Sequence, residues 1–136
     1  MVCDDEPFNV QGLIIVLKTV VKKMGISERL VDELVDKCYN GKEAVELVKK
    51  RGVQYALIFM DCSMPILDGY QTSTEIRKVC ADFGLAQPYI VACTGHTENE
   101  FILKAWRHKM DEIVPKPARI EVISKMLESI IKFKKY

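Results

Sequence analysis

No stretch of this sequence is apolar for long enough to cross a bilayer. Runs such as residues 13–17 and 56–60 fall far short of the roughly 20 residues a spanning helix needs. The start, Met1-Val2-Cys3-Asp4-Asp5-Glu6, is acidic where a secretory leader carries positive charge. Neither Gly-x-x-x-x-Gly-Lys-[Ser/Thr] nor Gly-x-Gly-x-x-Gly occurs, which disfavours a nucleotide-phosphate cradle. The net charge is +1, from 20 basic and 19 acidic residues. That balance offers no electrostatic footprint for nucleic acid or an anionic membrane. Five cysteines (Cys3, Cys38, Cys62, Cys80 and Cys93) are scattered without a Cys-x-x-Cys pair. Such spacing predicts small buried side chains in a reducing compartment. No internal repeat, linker or low-complexity segment is present. The expectation is a cytoplasmic domain, whose parent protein can carry a membrane anchor elsewhere.

What is there is a globular composition, 49% apolar and 29% charged over 136 residues, sized for one domain covering residues 1–136. A short apolar start, residues 1–3, reads as the end of a first strand. Pro7 opens a helix with Val10, Leu13, Ile14, Leu17, Val20, Val21 and Met24 at helical spacing, closed by Gly25. Residues 26–36 are less regular. Ser27 can cap a helical turn through Leu30, and residues 34–38 can form a second strand. Asn40-Gly41 signals a turn. A helix over residues 41–50 follows, closed by Gly52, and then a strand over residues 55–60. Asp68 reads as the N-cap of a third helix with Ser73, Ile76, Cys80 and Phe83 on its inner face. Residues 88–93 form a fourth strand, and Thr97 starts a helix carrying Phe101, Ile102, Ala105 and Trp106. Residues 112–114 form a short fifth strand. The last helix turns Ile120, Ile123, Met126, Leu127, Ile130 and Ile131 inward and ends in Lys132, Lys134 and Lys135. Five strands alternating with five helices predict a doubly wound α/β sandwich on a parallel sheet.

In a parallel sheet all strands end at one edge, and ligands bind there. The first strand ends in Asp4-Asp5, the third in Asp61, the fourth in Thr94 and the fifth in Lys116. Each has a plain alternative: Asp4-Asp5 as a charged helix start, Asp61 as a cap, Thr94 as a helix-entry residue, Lys116 as a loop lysine. Together, in this order, they read as one site. Two carboxylates about 5 Å apart at an effective dielectric near 20 repel by roughly 3 kcal/mol. A divalent cation relieves that, and an all-oxygen donor set suits Mg²⁺. A carboxylate can act as a phosphoryl acceptor, with the cation and Lys116 neutralising the transferring group and the Thr94 hydroxyl donating to it.

These residues match a known pattern. Val2-Cys3-Asp4-Asp5-Glu6-Pro7-Phe8-Asn9, Tyr39-Asn40-Gly41-Lys42-Glu43-Ala44, Met60-Asp61-Cys62-Ser63-Met64-Pro65-Ile66-Leu67-Asp68-Gly69, Ala92-Cys93-Thr94-Gly95 and Met110-Asp111-Glu112-Ile113-Val114-Pro115-Lys116-Pro117 span nearly the whole chain. The chain resembles a response-regulator receiver domain of the kind fused to hybrid histidine kinases. The resemblance implies a flavodoxin-like (βα)5 three-layer sandwich. It implies that Asp61 accepts a phosphoryl group from a phosphohistidine on a histidine kinase or histidine phosphotransfer protein. Asp4, Asp5, Asp61 and the main-chain carbonyl of Ser63 would hold Mg²⁺, with Mn²⁺ able to substitute, and Lys116 would contact the phosphate. The Lys116–Pro117 bond is often cis in such proteins. Thr94 would turn toward the phosphate and switch the face made by the fourth helix, fifth strand and last helix. Such a domain acquires and loses its own phosphoryl group and is not a turnover enzyme, and a monomer or weak dimer is expected.

Three departures stand out. Ile113 occupies the position, three before Lys116, where the family often has an aromatic residue, and it offers no hydroxyl. The segment before Asp61 is longer than usual, with the extra residues at 26–34. The first strand is short. Ile113 is the main support for an alternative: a phosphorylation-independent pseudo-receiver, an interaction module with the fold alone. Ser63 and His96, two residues after Asp61 and Thr94, flank the phosphate position, and His96 is a candidate modulator of its lifetime. An aspartate-nucleophile phosphatase of the haloacid dehalogenase type is disfavoured, because Asp61-Cys62-Ser63 lacks that family's second acid.

Overall fold

The apolar runs become the inner strands of one parallel sheet. A computed structural model describes residues 1–51 and 55–134. In chain order the elements are β1 (Val2–Cys3), α1 (Pro7–Lys23), α2 (Arg29–Leu34), β2 (Lys37–Cys38), α3 (Gly41–Arg51), β3 (Leu57–Asp61), α4 (Gly69–Asp82), β4 (Tyr89–Thr94), α5 (Asn99–Arg107), β5 (Glu112–Pro115) and α6 (Ile120–Lys134). The strands lie in the order β2-β1-β3-β4-β5, and every adjacent pair is parallel.

Strand periodicity divides the core between two faces. Ile58, Met60, Ile90 and Ala92 pack with residues of α3, α4 and α5 on one side. Phe59, Val91 and Cys93 pack with Val10, Ile14, Leu17 and Val20 of α1 and with Ile123 and Met126 of α6 on the other. The expected three layers result. Ile58, Met60 and Ile90 are completely buried, each contributing about 1.5–3 kcal/mol. This two-sided burial explains why the inner strands read as continuous apolar runs rather than alternating ones. All five cysteines are free and buried.

Local chemistry sets the helix ends. Pro7 stands in the first turn of α1. Met24 ends that helix and Gly25 follows at φ +78°. Its neighbour's N–H (Ile26) bonds back to the Val21 carbonyl at 2.9 Å, a closure that needs the left-handed region open to glycine. Asp68 is the N-cap of α4, as expected. Its carboxylate accepts from the Gln71 N–H at 2.8 Å, and the Gln71 side chain accepts from the Asp68 N–H at 3.2 Å.

Several expectations are corrected. Six helices form among the described residues, not five, because residues 29–34 make α2. Val31 of α2 is buried against α1, and Lys18 pairs with Asp32 at 2.9 Å. Leu34 therefore belongs to a helix and is 73% exposed, and β2 keeps only Lys37 and Cys38. The extra residues at 26–34 are thus a helical turn added beside α1. Phe83 is the C-cap of α4 and is exposed rather than inward, since the α4 stripe ends with Cys80. Ile131 is likewise exposed. The helix after β4 starts at Asn99 with Glu98 as N-cap, not Thr97. Trp106 lies at the rim, half-exposed. Gly52 as helix terminator and Lys135 lie outside the described residues.

Gly69 ties α4 to the end of β3. A Cβ there would lie 2.1 Å from the Asp61 carbonyl oxygen and 2.8 Å from Cys62 Cα, and its N–H bonds the Cys62 carbonyl at 3.1 Å. Both neighbours are main chain and cannot rotate away. Gly69→Ala is expected to destabilise the fold by about 2–4 kcal/mol, read as a lower urea midpoint.

Candidate functional site

The strand order reverses between β1 and β3, so α1 and α4 leave toward opposite faces. That reversal opens a crevice at the carboxyl edge. Asp4 leaves β1 there and Asp61 ends β3. Carboxylate oxygens of Asp4, Asp5 and Asp61 all lie within 4.8 Å of one another. Asp4 and Asp61 are buried and Asp5 is half-buried.

Lys116 enters from the loop after β5. Its N–H donates to the Thr94 carbonyl at 2.8 Å, and the Lys116–Pro117 peptide is cis. Its ammonium donates to Asp4 Oδ2 at 2.8 Å and to Asp61 Oδ1 at 2.7 Å. Asp4 Oδ1 is held separately, by the Glu6 N–H at 2.9 Å and the Asn9 amide at 3.4 Å. Asp61 Oδ1 also accepts from the Ser63 N–H at 3.4 Å. Among the described residues, both hydrogen bonds to the Asp61 carboxylate fall on Oδ1, which leaves Oδ2 open.

The charges do not balance. One ammonium faces three carboxylates. Burial pushes the Asp61 carboxyl up to about 6, against the bond and charge of Lys116, while the Asp4 charge raises it further. Burial pulls the Lys116 ammonium down, but its bonds to Asp4 and Asp61 outweigh this and hold it above the ordinary lysine value. A lysine shared by two acids therefore does not satisfy either the buried carboxylate or the cluster. The donor set is hard oxygen throughout, which fits a divalent cation such as Mg²⁺ rather than a soft metal.

Thr94 is buried at the end of β4, and its hydroxyl accepts from the His96 N–H at 3.0 Å. Ser63 is exposed. The His96 ring stacks on Phe101 at 4.4 Å between centroids and lies 3.8 Å from Glu98. Ile113 is half-buried against the core under α4 and α5. The fold thus brings Asp4, Asp5, Asp61 and Lys116 together. It keeps Thr94 at the same edge and stacks the His96 ring on Phe101 of α5. Two contributors had no role assigned from sequence. Asn9 orients Asp4 from the first turn of α1, and Gly69 lets α4 approach Asp61. The Asp-Gly pair signalled the second as a turn, but its reason lies in a long-range contact.

Known proteins share the sequence pattern and the fold of this chain. The response regulator receiver domain family matches residues 1–128, and the chain belongs to that family. It is 30% identical over 129 residues, 94% of this chain and 7% of the relative, to hybrid signal transduction histidine kinase L of Dictyostelium discoideum. It is similar to the receiver domain of the histidine kinase CKI1 from Arabidopsis thaliana solved with Mg²⁺ and BeF₃⁻. That likeness has TM-score 0.71 and 31% identity, covering 96% of this chain and 87% of that one. It is also similar to the Saccharomyces cerevisiae co-crystal structure of the histidine phosphotransfer protein Ypd1 with the receiver domain of Ssk1. Here the TM-score is 0.70 and the identity 26%, covering 92% and 82%. The chain spans 7–14% of the length of the first curated relatives it matches. Among the described residues, no helix is long and apolar enough to cross a membrane.

The raised Asp61 value fixes a pH dependence. Between about 4 and 6 the folded chain binds more protons at Asp61 than the unfolded chain, so this group costs stability as pH rises through that window. Without divalent cations, Asp61→Asn is expected to be more stable than the parent by roughly 2 kcal/mol at pH 7. The advantage should close as pH falls from about 6 to about 4. Denaturant curves at several pH values check this, and a pH-independent gap would contradict it.

Proposed function

We propose that this receiver domain, spanning residues 1–136, accepts a phosphoryl group on Asp61 from a phosphohistidine in a Mg²⁺-dependent step of a His–Asp relay. The donor is a histidine kinase or a histidine phosphotransfer protein. The observation that carries this reading is the buried Asp61, with Oδ2 open, beside Asp4, Asp5 and the bridging Lys116. The solved receivers with Mg²⁺ and BeF₃⁻ and with Ypd1 support it by likeness.

At neutral pH an Asp61 carboxyl near 6 is mostly ionised, so Oδ2 is a competent nucleophile. It attacks phosphorus as the P–N bond to the donor imidazole breaks. The bonding pair stays on the imidazole nitrogen, which takes a proton. Asp4, Asp5, Asp61 and the Ser63 carbonyl are the groups to hold Mg²⁺, whose chemistry here is neutralisation of charge on the phosphoryl oxygens; Mn²⁺ has the same capability. Lys116 exchanges its bond to Asp61 for one to a phosphoryl oxygen. Thr94 releases the His96 N–H and donates its hydroxyl to another. That movement reshapes the face of α5, β5 and α6, where Leu103 and Trp106 are exposed. A local charge then biases a two-state surface. His96 and Ile113 adjust how long the phosphoryl group lasts and how far the change spreads.

The domain works once per phosphoryl group, as a monomer or weak dimer, within a cytoplasmic part of a larger signalling protein. Ile113 favours a second reading. Without an aromatic residue there, the fold could serve as an interaction module that never takes phosphate.

Incubation with acetyl phosphate and Mg²⁺ is expected to add one phosphoryl group by intact mass. The gain should vanish on chelation and in Asp61→Asn. No gain by a folded protein would favour the interaction module.

A further inference from the structure

Ile66 stands where a β-branched residue fits badly. Pro65, Ile66 and Leu67 form a three-residue turn closed by the Leu67 N–H to the Pro65 carbonyl at 2.8 Å, with φ +72° at Ile66. A γ-turn of positive φ is rare and strained, and a β-branched centre makes it more so. Glycine or asparagine enters that region at less cost. The fold gives the Ile66 side chain nothing in return. At 86% exposure it is the most exposed large apolar side chain among the described residues. The turn is not slack, for Met64 is buried on one side and Leu67 packs on the core on the other. The Asp68 capping box fixes the far end. A rigid, locally unfavourable loop therefore holds an apolar side chain out in solvent, five residues past Asp61. Phe8, 84% exposed on the first turn of α1, borders a cleft of about 500 Å³ that Asp4 and Lys116 also line. Asp4 and Lys116 thus share a cleft with apolar side chains such as Phe8, Leu13 and Val16.

We infer that Ile66 is a docking and specificity residue for a phosphodonor protein. It is buried on contact with an apolar surface beside the donor's phosphohistidine. The inference rests on the phosphoacceptor reading above. A phosphohistidine on a protein reaches a buried Asp61 only if the donor presses on this edge, and the side chains standing proud of that edge meet it first. An apolar side chain already fixed in place loses little entropy on docking, which is how local strain becomes useful. A small phosphodonor makes no such contact.

The test compares the parent with Ile66→Asn and Ile66→Leu, using acetyl phosphate and phosphorylated Ypd1 as donors, with Mg²⁺ present. Ile66→Asn is expected to raise the melting temperature by about 3 °C through strain relief and to leave labelling by acetyl phosphate unchanged. It should slow transfer from Ypd1 at least about tenfold, and Ile66→Leu should retain most of that transfer. Equal transfer from Ypd1 to parent and Ile66→Asn overturns the inference, as does labelling by acetyl phosphate with no transfer from Ypd1. Self-association of the parent that Ile66→Asn abolishes, with transfer unaltered, assigns the side chain to a second copy and also overturns it. Failure of both donors overturns the phosphoacceptor reading itself.

Discussion

The Lys116 ammonium, shared between Asp4 at 2.8 Å and Asp61 at 2.7 Å, is the contact on which the rest of the edge depends. It joins the ends of β1, β3 and β5, elements separated by 112 and 55 positions in the chain. The parallel sheet, in the order β2-β1-β3-β4-β5, brings those three ends to one edge. The buried apolar strands supply the stability, and the topology decides where the charges fall. A carboxylate cluster is unfavourable for folding; burial first, and the Asp4 charge in smaller part, raise the Asp61 carboxyl, and one lysine offsets this only partly. The remaining negative charge is what a divalent cation would neutralise.

The supports around the cluster are main chain more than side chain. The Glu6 N–H holds Asp4, the Ser63 N–H holds Asp61 and the His96 N–H holds the Thr94 hydroxyl. Gly69 presses α4 against the Asp61 carbonyl. Such supports cost little entropy to organise and tolerate many neighbouring side chains. Side-chain choice is then left open at positions such as Ile66, which is exposed, and Ile113, which is half-buried.

The inner strands, the helical stripe of α1, the Asp68 cap and the edge positions of Asp4, Asp5, Asp61, Thr94 and Lys116 were legible in the sequence. Each is written in local periodicity or in the last residue of an apolar run. Residues 26–36 were not, because α2 is short and is held by Val31 and the Lys18–Asp32 pair against α1, contacts that no local pattern encodes. Phe83 misled because helical spacing continues past the point where the helix stops facing the core. The need for Gly69 and the turn at Ile66 depend on backbone geometry across the loop, which residue identity does not reveal. The membership of Lys116 could be read from its place after β5, but its sharing between two acids could not.

Calorimetric titration of Mg²⁺ into the parent chain and into Asp5→Asn at pH 7.5 tests most directly whether this cluster is a cation site held ready by Lys116. The account predicts saturable binding at one site in the parent and loss of most of that affinity in Asp5→Asn, with both proteins folded. No binding to the parent, or equal binding to both, would contradict it.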